Sequence, residues 1–483
     1  MITSKPARSR DRPCASHFEF ISVMGDNVAG DAATRRRVRS HAMVDYRRRT
    51  AKPKRKETIA IEFDTNPLLQ GSASLPLPFS PPLHEKQQSC TDGSVALAPL
   101  SMLDASRSDP FETFPIDRDR RARRLWDHMY DGTCSMFRTM LDIGFLDVVR
   151  ETIALSQLLS ASSKHLGHLY ADDSSTDHYR YTVHATTLLQ QRLGDPATCV
   201  SDEVVVAVLA FCCYANMTRD PKLLNVHMDG LSRILDCRGG AQSLDSNPLL
   251  RTMLYWVDVN GAYIQDSMPR YQQPLAILAG RSKLTIASYR FDLSLESGTN
   301  RHVFVSYIRQ SLAELHMIML SELLKRDLWS DVLFPGFHIS PILHILLSHP
   351  RATVHDTIES RVMECFRLAT VVYLTELRGR FGLDTIPGLL YGSRLHLLLH
   401  DMELSLLSTS HQIYLVWALT VGSCASCLSE ELQGTFVGLL GKMIVFMGVA
   451  EFTDYQDLIG QFLRIPDALF CSLDALEDQL FFP

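Results

Sequence analysis

The spacing of apolar and polar residues divides this chain of 483 residues into two parts. In the second part, 109–483, apolar residues recur every three or four positions, which is typical of helices packed on a core. The stretch 202–271 shows this pattern best. It predicts a buried helix over 204–215 that is apolar on every side, followed by two amphipathic helices that begin at Pro221 and Pro248.

The remainder of the second part predicts more helices of the same kind. Their expected bounds are 118–130, 146–166, 176–193, 302–328, 353–377, 389–406, 413–428, 435–450 and 457–463. Residues 271–300 are expected to be irregular. We therefore predict an all-α fold for 109–483, arranged as an irregular multi-helix bundle.

Two of these helices, 413–428 and 435–450, are apolar enough to raise the question of a membrane. Each is shorter than the roughly 20 residues that a membrane-spanning helix needs, and Lys442 interrupts the second. We favour a buried helical pair over a membrane hairpin and expect no membrane partner. Small residues are expected to let helices approach closely here: Ser423, Ala425 and Ser426, and then Gly434, Gly438 and Gly441.

The first part of the chain has a different composition. Residues 65–108 are rich in Pro, Ser and Leu and have no helical period, which predicts a linker. The sequence of residues 1–64 predicts a largely disordered basic arm, in which a helix can form over 31–49. Because the net charge of the whole chain is only −6, any attraction to nucleic acid must be local to this arm.

Eleven basic residues concentrate the positive charge of the arm. They are Arg35, Arg36, Arg37, Arg39, Arg47, Arg48, Arg49, Lys52, Lys54, Arg55 and Lys56. Clusters of this kind serve as nuclear import signals or contact phosphate groups. Pro53 keeps the end of the cluster extended and accessible, which suits an import signal. We favour import over direct nucleic-acid contact, and both over a solvated arm without a partner.

Several short motifs resemble one family of regulators. They are 18–21 (FEFI), 36–43 (RRVRSHAM), 109–116 (DPFETFPI), 227–240 (HMDGLSRILDCRGG) and 417–422 (WALTVG). Together they are similar to the fungal-specific transcription factor domain proteins, a subgroup of the fungal-type Zn2Cys6 regulators. The resemblance implies an all-α regulatory domain and a role in transcription in the nucleus.

The DNA reader of that family is a cluster of six cysteines that holds two zinc ions, normally near the N-terminus. Before Asp109 this sequence has only Cys14 and Cys90. Two isolated cysteines cannot ligate two zinc ions. We therefore expect this polypeptide to lack the zinc-cluster reader, and DNA recognition through that module is not carried over.

No motif in the chain predicts catalysis. Cys424 and Cys427 have the spacing of a redox or zinc pair, but they lie late in an apolar helix and no second pair follows, so a packing role is favoured. His396 and His400 share a helix face, but Leu397 stands where a zinc protease has glutamate. We expect no enzyme activity, no cofactor and no metal.

The favoured hypothesis is a nuclear transcription regulator that acts on protein partners through its helical body. Its basic arm would add weak, phosphate-directed DNA contact that does not depend on sequence. Two alternatives stay open. In one, the body is a small-molecule receptor or an enzyme whose pocket residues are far apart in the sequence. In the other, the chain is a truncated Zn2Cys6 transcription factor.

Overall fold

The structure is a computed structural model that describes residues 120–150, 153–170, 176–285, 301–400, 402, 407–470 and 473–481. The predicted arm, linker and eleven basic residues lie outside the described residues. Within the described residues all regular structure is helical, with seventeen α-helices, a few short 3₁₀ and π turns, and no strand. The all-α prediction is confirmed.

The α-helices are numbered in chain order. The first six are α1 (Arg120–Tyr130), α2 (Ser135–Asp142), α3 (Phe145–Arg150), α4 (Ala154–Leu169), α5 (Asp177–Gly194) and α6 (Asp202–Met217). The next five are α7 (Pro221–Cys237), α8 (Pro248–Gln265), α9 (Leu275–Arg281), α10 (Arg301–Leu323) and α11 (Ser340–Ser348). The last six are α12 (Ile358–Arg380), α13 (Pro387–His400), α14 (Thr409–Cys424), α15 (Glu430–Met447), α16 (Phe452–Leu463) and α17 (Glu477–Phe481).

The described residues fall into two compact units. The first unit holds 120–128 and 148–210, and the second holds 129–147 and the chain from 211 onward. In the first unit α4 packs along α5. The buried serines of α4 find hydrogen-bond partners for their hydroxyl groups. Ser160, for example, donates to the carbonyl oxygen of His178 at 2.8 Å. Small polar residues that are hydrogen-bonded in this way can be buried without the cost of an unpaired polar group.

In the second unit, α7 and α8 begin in the same way. The side chain of Asp220 accepts a hydrogen bond from the backbone N–H of Leu223 at 2.9 Å, and proline occupies the first turn of the helix. At α8 the side chain of Asn247 accepts from the backbone N–H of Leu250 at 3.3 Å, again before a proline. Such caps satisfy the free N–H groups of a helix start. They explain why both starts were predicted correctly.

Helix α12 is the centre of the second unit. It is buried on all sides from residue 362 to 375, and it contacts α10, α11, α13 and α14. Helix α14 is buried from residue 415 to 423 and also packs against α15. The core of this unit therefore lies around two helices whose surfaces are almost completely removed from water.

The long periodic helices were predicted correctly, whereas four short ones were missed. Helices α2, α9, α11 and α17 were not predicted, so the irregular stretch expected over 271–300 is wrong for 275–281. The helix predicted over 146–166 is two helices, α3 and α4. Helix α12 starts at Ile358 rather than at 353, because the Thr357 hydroxyl caps it by accepting from the backbone N–H of Ser360. Short helices lack the several turns that make a period visible.

Within the described residues, no single helix has both the length and the apolar character to cross a membrane. Helices α15 and α16 have the required length and apolar character only when they are taken together, and the chain bends by 96° between them. In α15 the residues Phe436, Leu440, Met443 and Ile444 are buried.

The close approach of α14 and α15 depends on one glycine. A Cβ atom added at Gly422 would lie 2.7 Å from Cδ2 of Phe436, whose side chain is fully buried. In contrast, no atom lies within 4 Å of a Cβ added at Gly434 or Gly438. The expectation that these two glycines serve close helix packing is therefore wrong, because they lie on a side of α15 without a neighbour in the described structure.

Two glycine substitutions give a matched test of this packing. We expect Gly422→Ala to lower the free energy of unfolding by about 1–3 kcal/mol, because the buried ring of Phe436 has to move. The control, Gly438→Ala, should raise it by up to about 1 kcal/mol, because alanine favours the helix and the added methyl meets open space. Chemical denaturation measures both, and equal effects of the two substitutions would contradict the packing described.

Candidate functional site: a buried charge cluster

The second unit contains a cluster of five charged side chains, of which three are fully buried. Its members come from four places in the fold. They are Asp266 at the end of α8, Arg351 between α11 and α12, Glu364 and Arg367 on α12, and Arg394 on α13. Charged residues are almost never buried unless they are paired, so this cluster is the most unusual chemistry of the described residues.

The local backbone conformation positions the side chain of Asp266 in the charge cluster. It ends α8 in the left-handed conformation, with φ at 45°, a conformation that aspartate tolerates better than most residues. About two helical turns earlier in α8, Asp258 folds the chain that follows the helix back on α8. Its carboxylate accepts the backbone N–H groups of Arg270 at 3.0 Å and Tyr271 at 2.9 Å. Burial raises the pKa of Asp258 to about 6, although these N–H groups and Arg270 oppose the rise.

Arg367 links the two buried carboxylates. Its two terminal nitrogens donate to the two oxygens of Asp266, each at 3.0 Å. Its Nε and Nη2 atoms donate to Glu364, each at 2.8 Å. Burial alone would raise the pKa of Asp266, but the adjacent Arg367 guanidinium outweighs burial and the pKa is lowered. The carboxylate of Asp266 is therefore held ionised in the core.

Two further arginines complete the coordination of Asp266. Arg351 donates to Oδ1 of Asp266 at 3.3 Å, and Arg394 donates to Oδ2. The side chain of Arg351 is 19% exposed and that of Arg394 is 34% exposed, whereas Asp266 and Arg367 are not exposed at all. The cluster thus has a buried core and a side that reaches water.

Polar contacts continue along α8 and α12 beyond the cluster. The hydroxyl groups of Tyr263 and Thr375 are 2.8 Å apart, and Arg378 donates to the side-chain oxygen of Asn260 at 2.7 Å. Tyr391 of α13 donates to the backbone oxygen of Tyr263 at 2.6 Å. Long polar side chains therefore connect α8 with α12 and α13 along several helical turns.

The surface of the second unit offers one uncharged helix face, which we call the α10 face. Its exposed residues are Val303, Ser306, Gln310, Ala313 and Met317, three or four positions apart along α10, and Leu324, which directly follows the helix. Met317 is 69% exposed and Leu324 is 90% exposed. At the edges, Arg309 donates to the carbonyl oxygen of Gln461 and Glu314 accepts the backbone N–H of Thr285. The charged edge residues are thus held against the body.

The sequence candidates for chemistry have packing roles where they are described. Cys427 lies against Gly388, where an added Cβ would lie 2.5 Å from its sulfur, and burial raises the pKa of the Cys427 thiol. The rings of His396 and His400 are 6.2 Å apart, with His396 half-buried and His400 exposed. Among the described residues, no three His, Cys, Asp or Glu side chains are placed to hold a metal ion.

The eleven basic residues predicted as import or phosphate contacts lie outside the described residues, so their geometry stays a prediction. Sequence reasoning missed the charge cluster itself. Its one local signal is the pair Glu364 and Arg367, which stand three positions apart in the mostly apolar middle of α12, residues 362–374. The partners Asp266 and Arg394 are separated from each other by 128 positions and give no motif.

Comparison with known families agrees with the sequence resemblance. Residues 143–295 match a family model described as a fungal specific transcription factor domain. The match covers less than half of the chain and includes Asp258 and Asp266. It ends before Arg351, Glu364, Arg367 and Arg394. Neither the curated proteins nor the solved structures include a significant match to this chain.

Proposed function

We propose that this chain, whose residues 143–295 match a fungal specific transcription factor domain, is a nuclear transcription regulator. That match is the observation on which the proposal rests. The family is one of transcription factor domains and not of enzymes, and we assign no catalysis to the helical body. We further propose that the helical body acts on transcription through partner proteins.

The basic arm is proposed to deliver the protein to the nucleus. The segment 35–56 contains the eleven basic residues and a single acidic residue, Asp45. This aspartate lies between the first group of basic residues, which ends at Arg39, and the second, which begins at Arg47. A dense, accessible basic segment fits an import signal, and it would also contact phosphate groups weakly. Such DNA contact would fall steeply with salt and differ little between sequences.

Substitution of the arm tests this assignment. We expect a fluorescently tagged full chain to move out of the nucleus when six residues become alanine: Arg47, Arg48, Arg49, Lys54, Arg55 and Lys56. The control replaces Lys5, Arg8 and Arg10, which lie in the same arm outside the cluster. Fluorescence microscopy measures the nuclear fraction. An unchanged nuclear fraction in the six-residue variant would refute the import role.

The α10 face is proposed as the surface for a partner protein. Exposed apolar patches on folded proteins commonly mark interaction sites. The spacing of Val303, Ala313, Met317 and Leu324 suits the apolar side of a partner helix laid along α10. The centre of the face carries no charge, so a partner with an uncharged apolar stripe buries it without desolvating an ion.

A reporter assay tests both the regulatory role and this surface. The full chain is fused to an unrelated DNA-binding module, and transcription from a reporter with the matching site is measured. We expect the wild-type fusion to change transcription, and Met317→Glu with Leu324→Glu to abolish most of that change. Leu397→Glu is the control, because Leu397 is 63% exposed on α13, away from this face.

Two results of the reporter assay would contradict the proposals. A wild-type fusion without any effect on transcription would count against the regulatory role. A normal effect of the Met317→Glu and Leu324→Glu variant would count against the α10 face alone. Thermal unfolding of each variant verifies that the fold is intact, since all three positions are exposed.

A further inference from the structure

The charge cluster around Asp266 is not balanced. Three guanidinium groups, those of Arg351, Arg367 and Arg394, face two carboxylates, those of Asp266 and Glu364. The excess is one positive charge. Arg351 and Arg394 form no ion pair with any other carboxylate among the described residues. A partly buried excess charge is costly unless an opposite charge or water compensates it.

The unsatisfied donors all lie on the two outer arginines. The Nη2 atom of Arg394 is 3.9 Å from Glu364, which is too far for a hydrogen bond. The Nε atom of Arg351 is buried and has no partner. Arg367, in contrast, uses its Nε and both terminal nitrogens on Asp266 and Glu364. The free donors are thus one terminal nitrogen on the partly exposed Arg394 and the buried Nε atom of Arg351, whose Nη1 atom donates to the carbonyl oxygen of His349 at 3.1 Å.

The two outer arginines converge on the same carboxylate. Arg351 contacts Oδ1 of Asp266 and Arg394 contacts Oδ2. Planar guanidinium groups match the geometry of carboxylate and phosphate oxygens and bind them with two parallel hydrogen bonds. Desolvation strengthens such contacts, since the charges interact in a medium of lower dielectric constant than water.

We infer that the outer side of this cluster binds a small oxyanion, namely the carboxylate or phosphate group of a metabolite, between Arg351 and Arg394. The bound anion balances the excess positive charge and pairs the free donors. Burial, together with the nearby charge of Arg367, lowers the pKa of Arg351, and an anion at this position relieves that repulsion. The inference goes beyond the nuclear role and does not depend on it.

Such an anion would connect separate elements of the second unit. Arg351 lies between α11 and α12, Arg394 lies on α13, and Asp266 ends α8. A ligand held by both arginines stabilises the folded arrangement of these helices in proportion to its occupancy. The site therefore has the properties of an effector site that reports a metabolite to the helical body.

Thermal unfolding of the full chain tests the inference at constant ionic strength. Inorganic phosphate and acetate are titrated separately, with chloride as the reference salt. We expect at least one of the two oxyanions to raise Tm relative to chloride, by roughly 2–5 °C at 10 to 100 times its Kd and further with the logarithm of its concentration. Which of them acts identifies the class of the ligand group.

Two variants place the effect at the cluster. Arg394→Gln leaves two guanidinium groups facing two carboxylates and should remove the rise in Tm. Arg380→Gln is the control and should keep it, because Arg380 lies outside the cluster, where it donates to the backbone oxygens of Ala468 and Phe470 and lies over the ring of Trp329. Equal responses of the wild type and Arg394→Gln, or no rise in the Tm of the wild type beyond that in chloride, would overturn the inference.

A second variant keeps the test decisive if Arg394→Gln does not fold. Arg351→Lys retains the positive charge but loses the planar donor geometry. Calorimetric titration with the active oxyanion should then give an affinity that is weaker by roughly tenfold or more, since a charge-assisted hydrogen bond is lost. An unchanged affinity would show that the arginines do not form the site.

Discussion

The interaction between Asp266 and Arg367 is the constraint on which the second unit depends. It joins the end of α8 to the middle of α12 through two hydrogen bonds of 3.0 Å between fully buried groups. Removal of one partner from such a pair leaves an uncompensated charge in the core and costs about 3–5 kcal/mol. Neutral replacement of both partners costs much less. The pair therefore specifies which helices meet rather than adding much net stability.

The family match contains only one side of this interaction. The matched stretch, 143–295, supplies Asp266 and the aspartate that folds the chain back, Asp258. The partners of Asp266 all come from later in the chain, on α12, on α13 and before α12. The matched stretch thus contains one of the two carboxylates of the cluster, whereas Glu364 and all three arginines lie outside it. In the second unit, the buried charge of Asp266 is therefore neutralised only by arginines that lie after residue 295 in the chain.

The sequence predicted the fold well where local chemistry decides the structure. Caps at Asp220 and Asn247 and a regular apolar stripe define α7 and α8 without any knowledge of tertiary contacts. The short helices α2, α9, α11 and α17 were missed, since a few turns carry no clear period. The charge cluster could not be predicted, because Asp266 and Arg367 are 101 positions apart and each looks like an ordinary charged residue of a helix surface. The α10 face could not be predicted from the sequence either. Its exposed residues are uncharged, so in the sequence they look like residues of a buried helix face.

A double-mutant cycle on Asp266 and Arg367 tests the central claim most directly. Asp266→Asn removes the charge but tolerates the left-handed backbone at this position, and Arg367→Met removes the cation while keeping a shorter unbranched side chain that suits a buried position. The free energy of unfolding of the full chain is measured by chemical denaturation. We predict that each single substitution costs about 3 kcal/mol or more, and that the double variant loses about 1–3 kcal/mol less than the sum. Additive effects, or single effects below about 1 kcal/mol, would contradict the account.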